Sequence, residues 1–231
     1  MIDFLNAKSI VIPEGEVSVI AHGTEILWQK QTKKYKAELA YLQSTGTQWI
    51  DTGVNRIMFG ANDKLSFGFQ PVNVSSASFL FGTMVGSRGC GIRTRNATWL
   101  QASIWQTGSP TSNNVDTIYK KFDIELSKSD GFVLDGIKQG AAGNGGPNLT
   151  VIDYFPLCIG AYVEASSTTA TEYTIKPTDG RYYYLQIIQN GKMVRDFIPV
   201  LDWNDRPCMY DKVTDELFYN SGTGEFKYET Q

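Results

Sequence analysis

Residues 181–200, RYYYLQIIQNGKMVRDFIPV, admit few structures. Asn190-Gly191 is a strong two-residue hairpin signal, because a type I′ turn needs positive φ at both central positions. Aromatic and β-branched residues crowd both flanks, so the segment reads as two long antiparallel strands. With a two-residue turn, Ile188 faces Met193, Ile187 faces Val194, Leu185 faces Asp196 and Tyr183 faces Ile198. On the same count Gln186 meets Arg195 and Tyr184 meets Phe197. Apolar pairs on both faces predict an interior hairpin, covered on each side. Asp196 is the exception among apolar neighbours and is expected to be satisfied by backbone donors or a turn.

The rest of the chain is written in the same way. From Ala37 onward, short apolar runs alternate with turn residues and no long window keeps a helical period, so helices should be nearly absent. Phe67–Gln70 and Phe79–Phe81 read as strands. In IYKKFDIEL, Ile118, Phe122, Ile124 and Leu126 share one parity while Lys121, Asp123 and Glu125 take the other, as in a half-buried strand. In SDGFVLDGIKQG, two Asp-Gly pairs flank Phe132-Val133-Leu134 and make two tight turns. In STGTQWIDTG, residues 44–53, Thr45-Gly46 reads as a turn before an early strand that Asp51-Thr52-Gly53 ends, with Gln48 and Ile50 on one face and Trp49 and Asp51 on the other. Trp49 is either a cover for the sheet or a ligand platform. The 231 residues suit one sandwich domain plus a small appendage. Aromatics at 13% and 22 Gly agree with an all-β chain rich in tight turns.

The appendage is residues 1–29. Three apolar runs, Ile10–Ile12, Val17–Ile20 and Ile26–Trp28, separated by Pro13-Glu14-Gly15 and His22-Gly23, predict a three-stranded meander. It is too small to be stable alone and should dock on the main domain or on another chain. Residues 30–37, polar and Lys-rich, read as a linker, and 38–231 as the sandwich. The opening residues carry no cationic region or long apolar run, so no signal peptide is expected. No stretch approaches the ~20 apolar residues of a membrane helix, so no membrane insertion is expected. A net charge of −3 gives no footprint for nucleic acid. Cys90, Cys158 and Cys208, an odd and widely spaced set, form neither a disulfide framework nor a CxxC metal site. They read as buried free thiols, which suits assembly in a reducing compartment.

Two segments carry a resemblance: YLQSTGTQWIDTG near the start and VRDFIPVLDWNDRPCMYDKVTDELFYNSGTGEF at the end. Together they resemble a concanavalin A-like (laminin G-like) β-sandwich family of bacteriophage tail proteins and gut-bacterial surface proteins, over roughly residues 38–229. FVLDG resembles a strand and turn of the same sandwiches. The segment KSIVIPEGEVSVIAHGTEILWQK is similar to a short module of phage tail and baseplate proteins. The resemblance implies an all-β, two-sheet antiparallel jelly-roll and a virion component assembled in the host cytoplasm, or alternatively a protein of the bacterial cell surface. It implies binding or structure rather than catalysis, docking on other virion proteins through the N-terminal module, and a homo-oligomer, with a trimer favoured. It brings no fixed binding residues. In the terminal segment, Tyr210–Lys212 and Leu217–Tyr219 read as strands joined at Thr214-Asp215, and this segment is expected to lie beside the opening strand.

The chemistry expected is binding. The sole His, His22, lies in the N-terminal segment and reads as a turn residue, so Ser-His-Asp and Cys-His catalysis have no base in the sandwich. Glycoside hydrolases of this fold align three acids on one strand face; Asp123 and Glu125 alternate, but Lys121 holds the third place. Zinc lacks ligand spacing, calcium is unmotivated, and no cofactor site is expected. GSRGCG (86–91) and GAAGNGG (140–146) lack the GxxxxGK[ST] ending of a phosphate loop. A glycan surface needs aromatic faces flanked by hydrogen-bonding side chains. Arg93, Arg95, Asn96, Trp99, Gln101 and Trp105 supply that mixture, and Arg93, Arg95, Trp99 and Gln101 share one parity. The competing reading is that Trp99 and Trp105 pack in a core.

Overall fold

A computed structural model of the chain describes residues 11–12, 15–16, 19–22, 25–29, 33–55, 60–73, 79–85, 88–96, 98–104, 111–114, 117–140, 155–165 and 172–231. These residues form strands, turns and no helix, and so no helix among them is long and apolar enough to cross a membrane. The chain divides into two compact units, Met1–Lys34 and Tyr35–Gln231.

The smaller unit holds β1 (Val11–Ile12), β2 (Gly15–Glu16), β3 (Val19–His22) and β4 (Glu25–Gln29). Its strands form two separate antiparallel pairs, β1 with β2 and β3 with β4, in place of the expected three-stranded meander. Ile12 already pairs with Gly15, so the first run closes on its own short hairpin and the third run pairs with β3 alone. His22 ends β3, opposite Glu25.

The larger unit begins with Tyr35, inside the segment read as a linker. Tyr35 is buried with Val200 and Cys208 and its ring meets Tyr210 at 4.9 Å. Strands follow in the order β5 (Ala37–Thr45), β6 (Ile50–Asp51), β7 (Lys64–Pro71), β8 (Phe79–Val85), β9 (Arg88–Asn96), β10 (Trp99–Ile104) and β11 (Thr111–Asn114). Next are β12 (Phe122–Ser127), β13 (Gly131–Leu134), β14 (Ile137–Gly140), β15 (Cys158–Ile159), β16 (Ala161–Ala165) and β17 (Thr174–Pro177). The last are β18 (Asp179–Gln189), β19 (Lys192–Leu201), β20 (Pro207–Asp211), β21 (Glu216–Phe218) and β22 (Lys227–Thr230). A ten-stranded sheet runs β14-β13-β12-β7-β18-β5-β19-β20-β21, with β22 on β5. A six-stranded sheet runs β11-β10-β9-β8-β16-β17. Its β8–β16 pair is parallel, and every other pairing among the described strands is antiparallel. One apolar core joins the two sheets: Leu65, Phe67, Ile124, Leu185 and Phe197 come from the larger and Leu80, Phe81, Ile92 and Leu100 from the smaller. The rings of Phe67 and Phe81 meet across it at 4.5 Å.

The Asn190-Gly191 turn forms, with φ of 52° and 75°, as type I′ requires. Ile188 faces Met193 as expected. A bulge then shifts the register by one, so Ile187 faces Arg195, Gln186 faces Asp196 and Leu185 faces Phe197. The expected Tyr183–Ile198 pair does not form, because β5 enters between the two strands beyond that point. The shift places Leu185, Ile187 and Phe197 in the core and leaves Gln186 and Asp196 on the other face, where Gln186 Nε2 donates to Asp196 Oδ1 at 3.1 Å. The predicted double cover is partial: the second face is half-buried, closed near its end by Tyr35, Ile198, Tyr210 and Leu217. The backbone donors expected at Asp196 go to Asp211 instead, which accepts from the N–H groups of Asp196 and Val213 and from the Thr214 hydroxyl.

The stretch 44–53 is a strand end, a turn and a new short strand. β5 stops at Thr45; Gln48 folds under it, its Oε1 accepting the Thr45 N–H at 2.7 Å. Ile50–Asp51 then pairs with Cys158–Ile159. The chain's closing segment lies against it, as expected. Ser221 N–H donates to Trp49 O at 2.7 Å, Thr223 N–H donates to Thr47 O at 3.1 Å, and β22 pairs with β5. Trp49 is half-buried and packs beside Phe155, Cys158 and Val163. It is a cover.

Two outcomes follow from these contacts. A Cβ on Gly222 would stand 2.1 Å from Thr47 O and 2.8 Å from Trp49 Cδ1. Gly222→Ala should therefore prise the two ends apart and lower stability by about 1–3 kcal/mol in urea unfolding. Asp202, 2% exposed, turns the chain between β19 and β20. Burial opposes its charge, but the N–H groups of Arg206 and Asn204, the Arg206 guanidinium and the Tyr219 hydroxyl outweigh it and hold the carboxyl below its usual value. A depressed native pKa stabilises above the unfolded value, near 3.9, and the benefit is lost as pH falls through the native one. Asp202→Asn should be less stable by ~1–3 kcal/mol at pH 7, with the gap to the unsubstituted protein narrowing below about pH 4.

Candidate functional site

The hairpin of β9 and β10 carries five of the six residues expected to bind sugar. Arg93 faces Gln101, and Trp99 faces Asn96 across a bulge. Ile92, Thr94, Leu100 and Ala102 are buried, so alternation turns Arg93 and Gln101 to the other face, where Arg93 is half-buried and Gln101 is covered. There Arg93 Nε donates to Gln101 Oε1 at 2.7 Å. Trp99 is half-buried. Arg95 and Asn96 are placed here by their backbone positions in β9. Trp105 lies outside the described residues, as does the loop 141–146.

Neighbouring strands extend this face. Phe79 pairs with Arg93, and the guanidinium carbon lies 5.6 Å from the Phe79 ring centroid. The Tyr162 ring meets Phe79 at 5.0 Å. Lys176 pairs with Tyr162 across β16 and β17, lies 5.6 Å over its ring, and forms an ion pair with Glu164. A hydrogen bond from Lys176 to Glu164 raises the ammonium pKa above its ordinary value. Tyr162 also pairs with Gly82, and Gly82 with Gly91, so the row beside Phe79 and Arg93 carries no side chain at two consecutive strands. The outcome is a half-exposed shelf: the Phe79 ring and a guanidinium along one row, glycine backbone and a tyrosine along the next. C–H faces of a pyranose pack on such rings, and hydroxyls find the guanidinium donors beside them.

Phe79 was legible as a strand residue only; Tyr162, Glu164 and Lys176 carried one readable signal. In AYVEA, Ala161, Val163 and Ala165 are buried while Tyr162 and Glu164 are not. That alternation marks an outer face, but the parallel pairing of β16 with β8 joins residues some 80 positions apart by no local rule.

On the larger sheet's outer face, Asp123 and Glu125 lie on the exposed side of β12, paired with Lys121 at 3.6 Å and Lys64 at 2.6 Å. Each acid has its own cation, the arrangement of a solvated strand face. Tyr183, displaced outward at a bulge against Gly68, donates to Gln70, and Arg181 lies 4.5 Å over the Tyr41 ring. No group of three or more His, Cys, Asp or Glu among the described residues could hold a metal ion. The chain matches no family model, no curated protein and no solved structure.

The three cysteines are free and fully buried. Burial, the largest cause, raises all three thiol pKa values, that of Cys208 to about 12. A thiol reagent at pH 8 should find no fast-reacting group in the folded protein and three after denaturation, since only thiolate reacts.

Proposed function

We propose that this chain is a non-enzymatic carbohydrate-binding protein of a bacteriophage virion, in a tail, baseplate or fibre, built on a concanavalin A-like jelly-roll sandwich. The shelf of Phe79, Arg93, Gln101 and Tyr162 carries the reading. Its rings are held at fixed spacing by strand pairing, so little side-chain freedom is lost when a sugar binds. The jelly-roll is supported by two sheets around one core and by the two ends of the larger unit lying in adjoining strands. The virion setting rests on the resemblance of the terminal segments. In it the N-terminal unit docks on a neighbouring virion protein, the sandwich faces a host-surface glycan, and copies assemble as a symmetric oligomer, with a trimer favoured.

A glycan array with the purified protein tests the binding. The expected result is a defined subset of bound glycans, with Phe79→Ala and Tyr162→Ala each weakening binding about tenfold, a loss of ~1.4 kcal/mol. A folded protein that binds no glycan overturns the reading and leaves a particle-decoration role. Tail or capsid genes beside the coding sequence are the expected setting, and their absence overturns the virion part.

A further inference from the structure

We infer that the shelf selects sugars bearing a carboxylate, such as hexuronates, and that Arg93 is the selecting residue; this rests on the glycan-binding reading above. Arg181 on the larger sheet lacks an acidic partner among the described residues, but amides take up both its Nε and a terminal nitrogen, Gln43 at 3.0 Å and Gln70 at 3.5 Å. Five other cations near strand faces have acids. Lys176 has Glu164, Lys64 has Glu125, Lys121 has Asp123, Arg195 has Asp211 and Arg206 has Asp202. Arg93 has none among the described residues. Its one hydrogen-bond partner is Gln101, a neutral amide, 3% exposed. A buried amide orients the guanidinium without cancelling its charge. Placing Glu at 101 would have cancelled it with nearly the same shape.

The orientation is constrained twice. Nε points at Gln101 Oε1, and the guanidinium carbon lies over the Phe79 ring. With Nε occupied, the two terminal nitrogens remain, a planar fork of N–H donors. That fork matches a carboxylate in bidentate geometry, where a hydroxyl would use one donor and leave the charge unpaired. The second row lies about 7 Å along the strands, the spacing of alternate residues and close to the width of one sugar ring. There the close approach of Gly82 and Gly91 puts no side chain on the row, and Tyr162 offers an aromatic ring. A hexuronate therefore has a place for both its parts, the carboxylate at Arg93 and the pyranose over the glycines.

The test compares oligogalacturonate with its carboxyl-reduced, neutral counterpart of the same length and linkage, by calorimetry at 150 mM salt. The protein should bind the acidic oligomer at least about tenfold more tightly. Arg93→Gln should abolish that preference, so that the acidic and neutral oligomers bind alike. Arg93→Lys should restore only part of it, because a lysine supplies charge without the fork. Equal affinity for the two oligomers, lost in Phe79→Ala, overturns the selectivity and leaves the glycan reading standing. Equal preference for a sulfated oligomer lacking carboxylates overturns it as well. Failure to bind any glycan overturns the glycan reading itself. The comparison of two ligands on the unsubstituted protein needs no variant, so a destabilised Arg93→Gln does not obscure the result.

Discussion

The larger unit depends on β5 having both edges filled. Leu42 pairs with Tyr182 on one side and Tyr228 on the other; Gln43 pairs with Arg181 and with Lys227. β5 also pairs with β19 at Ala37 and Glu38. One nine-residue strand thus ties together the central hairpin, the closing strand and the start of the unit. An open edge at this place would expose backbone donors and acceptors at the middle of the sheet, beside the core residues Leu39 and Leu42. The close approach at Gly222 and the Gln48 turn are consequences: the chain must leave β5 sharply, within a few residues, for the closing segment to lie along it.

Buried carboxylates do for the turns what β5 does for the strands. Asp63 accepts the N–H of Gly60 and, across the sheet, that of Asn190 in the central hairpin. Asp211 takes N–H groups from Asp196 and Val213, and Asp202 takes those of Asn204 and Arg206. Each turn leaves backbone N–H groups without a ladder partner, and an ionised carboxylate satisfies two of them with charge-assisted bonds. This explains why acids deep in the fold do not imply acid–base chemistry. Their oxygens are spent on backbone.

How much of this is legible in the sequence follows from the range of the interaction concerned. The Asn190-Gly191 turn, the Phe132–Leu134 strand between its two turns and the alternation of Phe122, Ile124 and Leu126 are local, and the structure has them. The bulge beyond Ile188 was not legible. It answers a demand from elsewhere, that Leu185, Ile187 and Phe197 share one face while β5 fits between the strands. One residue of slip reverses every facing pair, which is why Tyr183 and Ile198 part company without disturbing the two-sheet arrangement. In 44–53 the breaks at Thr45-Gly46 and after Asp51 were legible, but the strand is shorter than expected: the alternation of Gln48, Trp49 and Ile50 is real, yet Gln48 turns inward to cap Thr45, which no period-two pattern distinguishes from a strand. At the candidate site, parity brought Arg93 and Gln101 together correctly, whereas Tyr162 arrives from β16 through a parallel pairing that leaves no short-range mark.

Each outer face combines acid-paired lysines with an arginine held by amide and aromatic side chains. On the larger sheet, Lys64, Lys121 and Lys212 each answer an acid, while Arg181 is held by the amides of Gln43 and Gln70 over the Tyr41 ring. On the smaller sheet Lys176 answers Glu164 at one end, while Arg93 is given an amide and a phenyl ring. Both of these partners fix a guanidinium in place and neither neutralises it. Solvation of an unpaired cation costs nothing on an exposed loop, but a half-buried one on a strand face loses part of its water on folding. An arrangement that accepts this loss and withholds a counter-charge is what a surface needs if the counter-charge is to come from outside the chain.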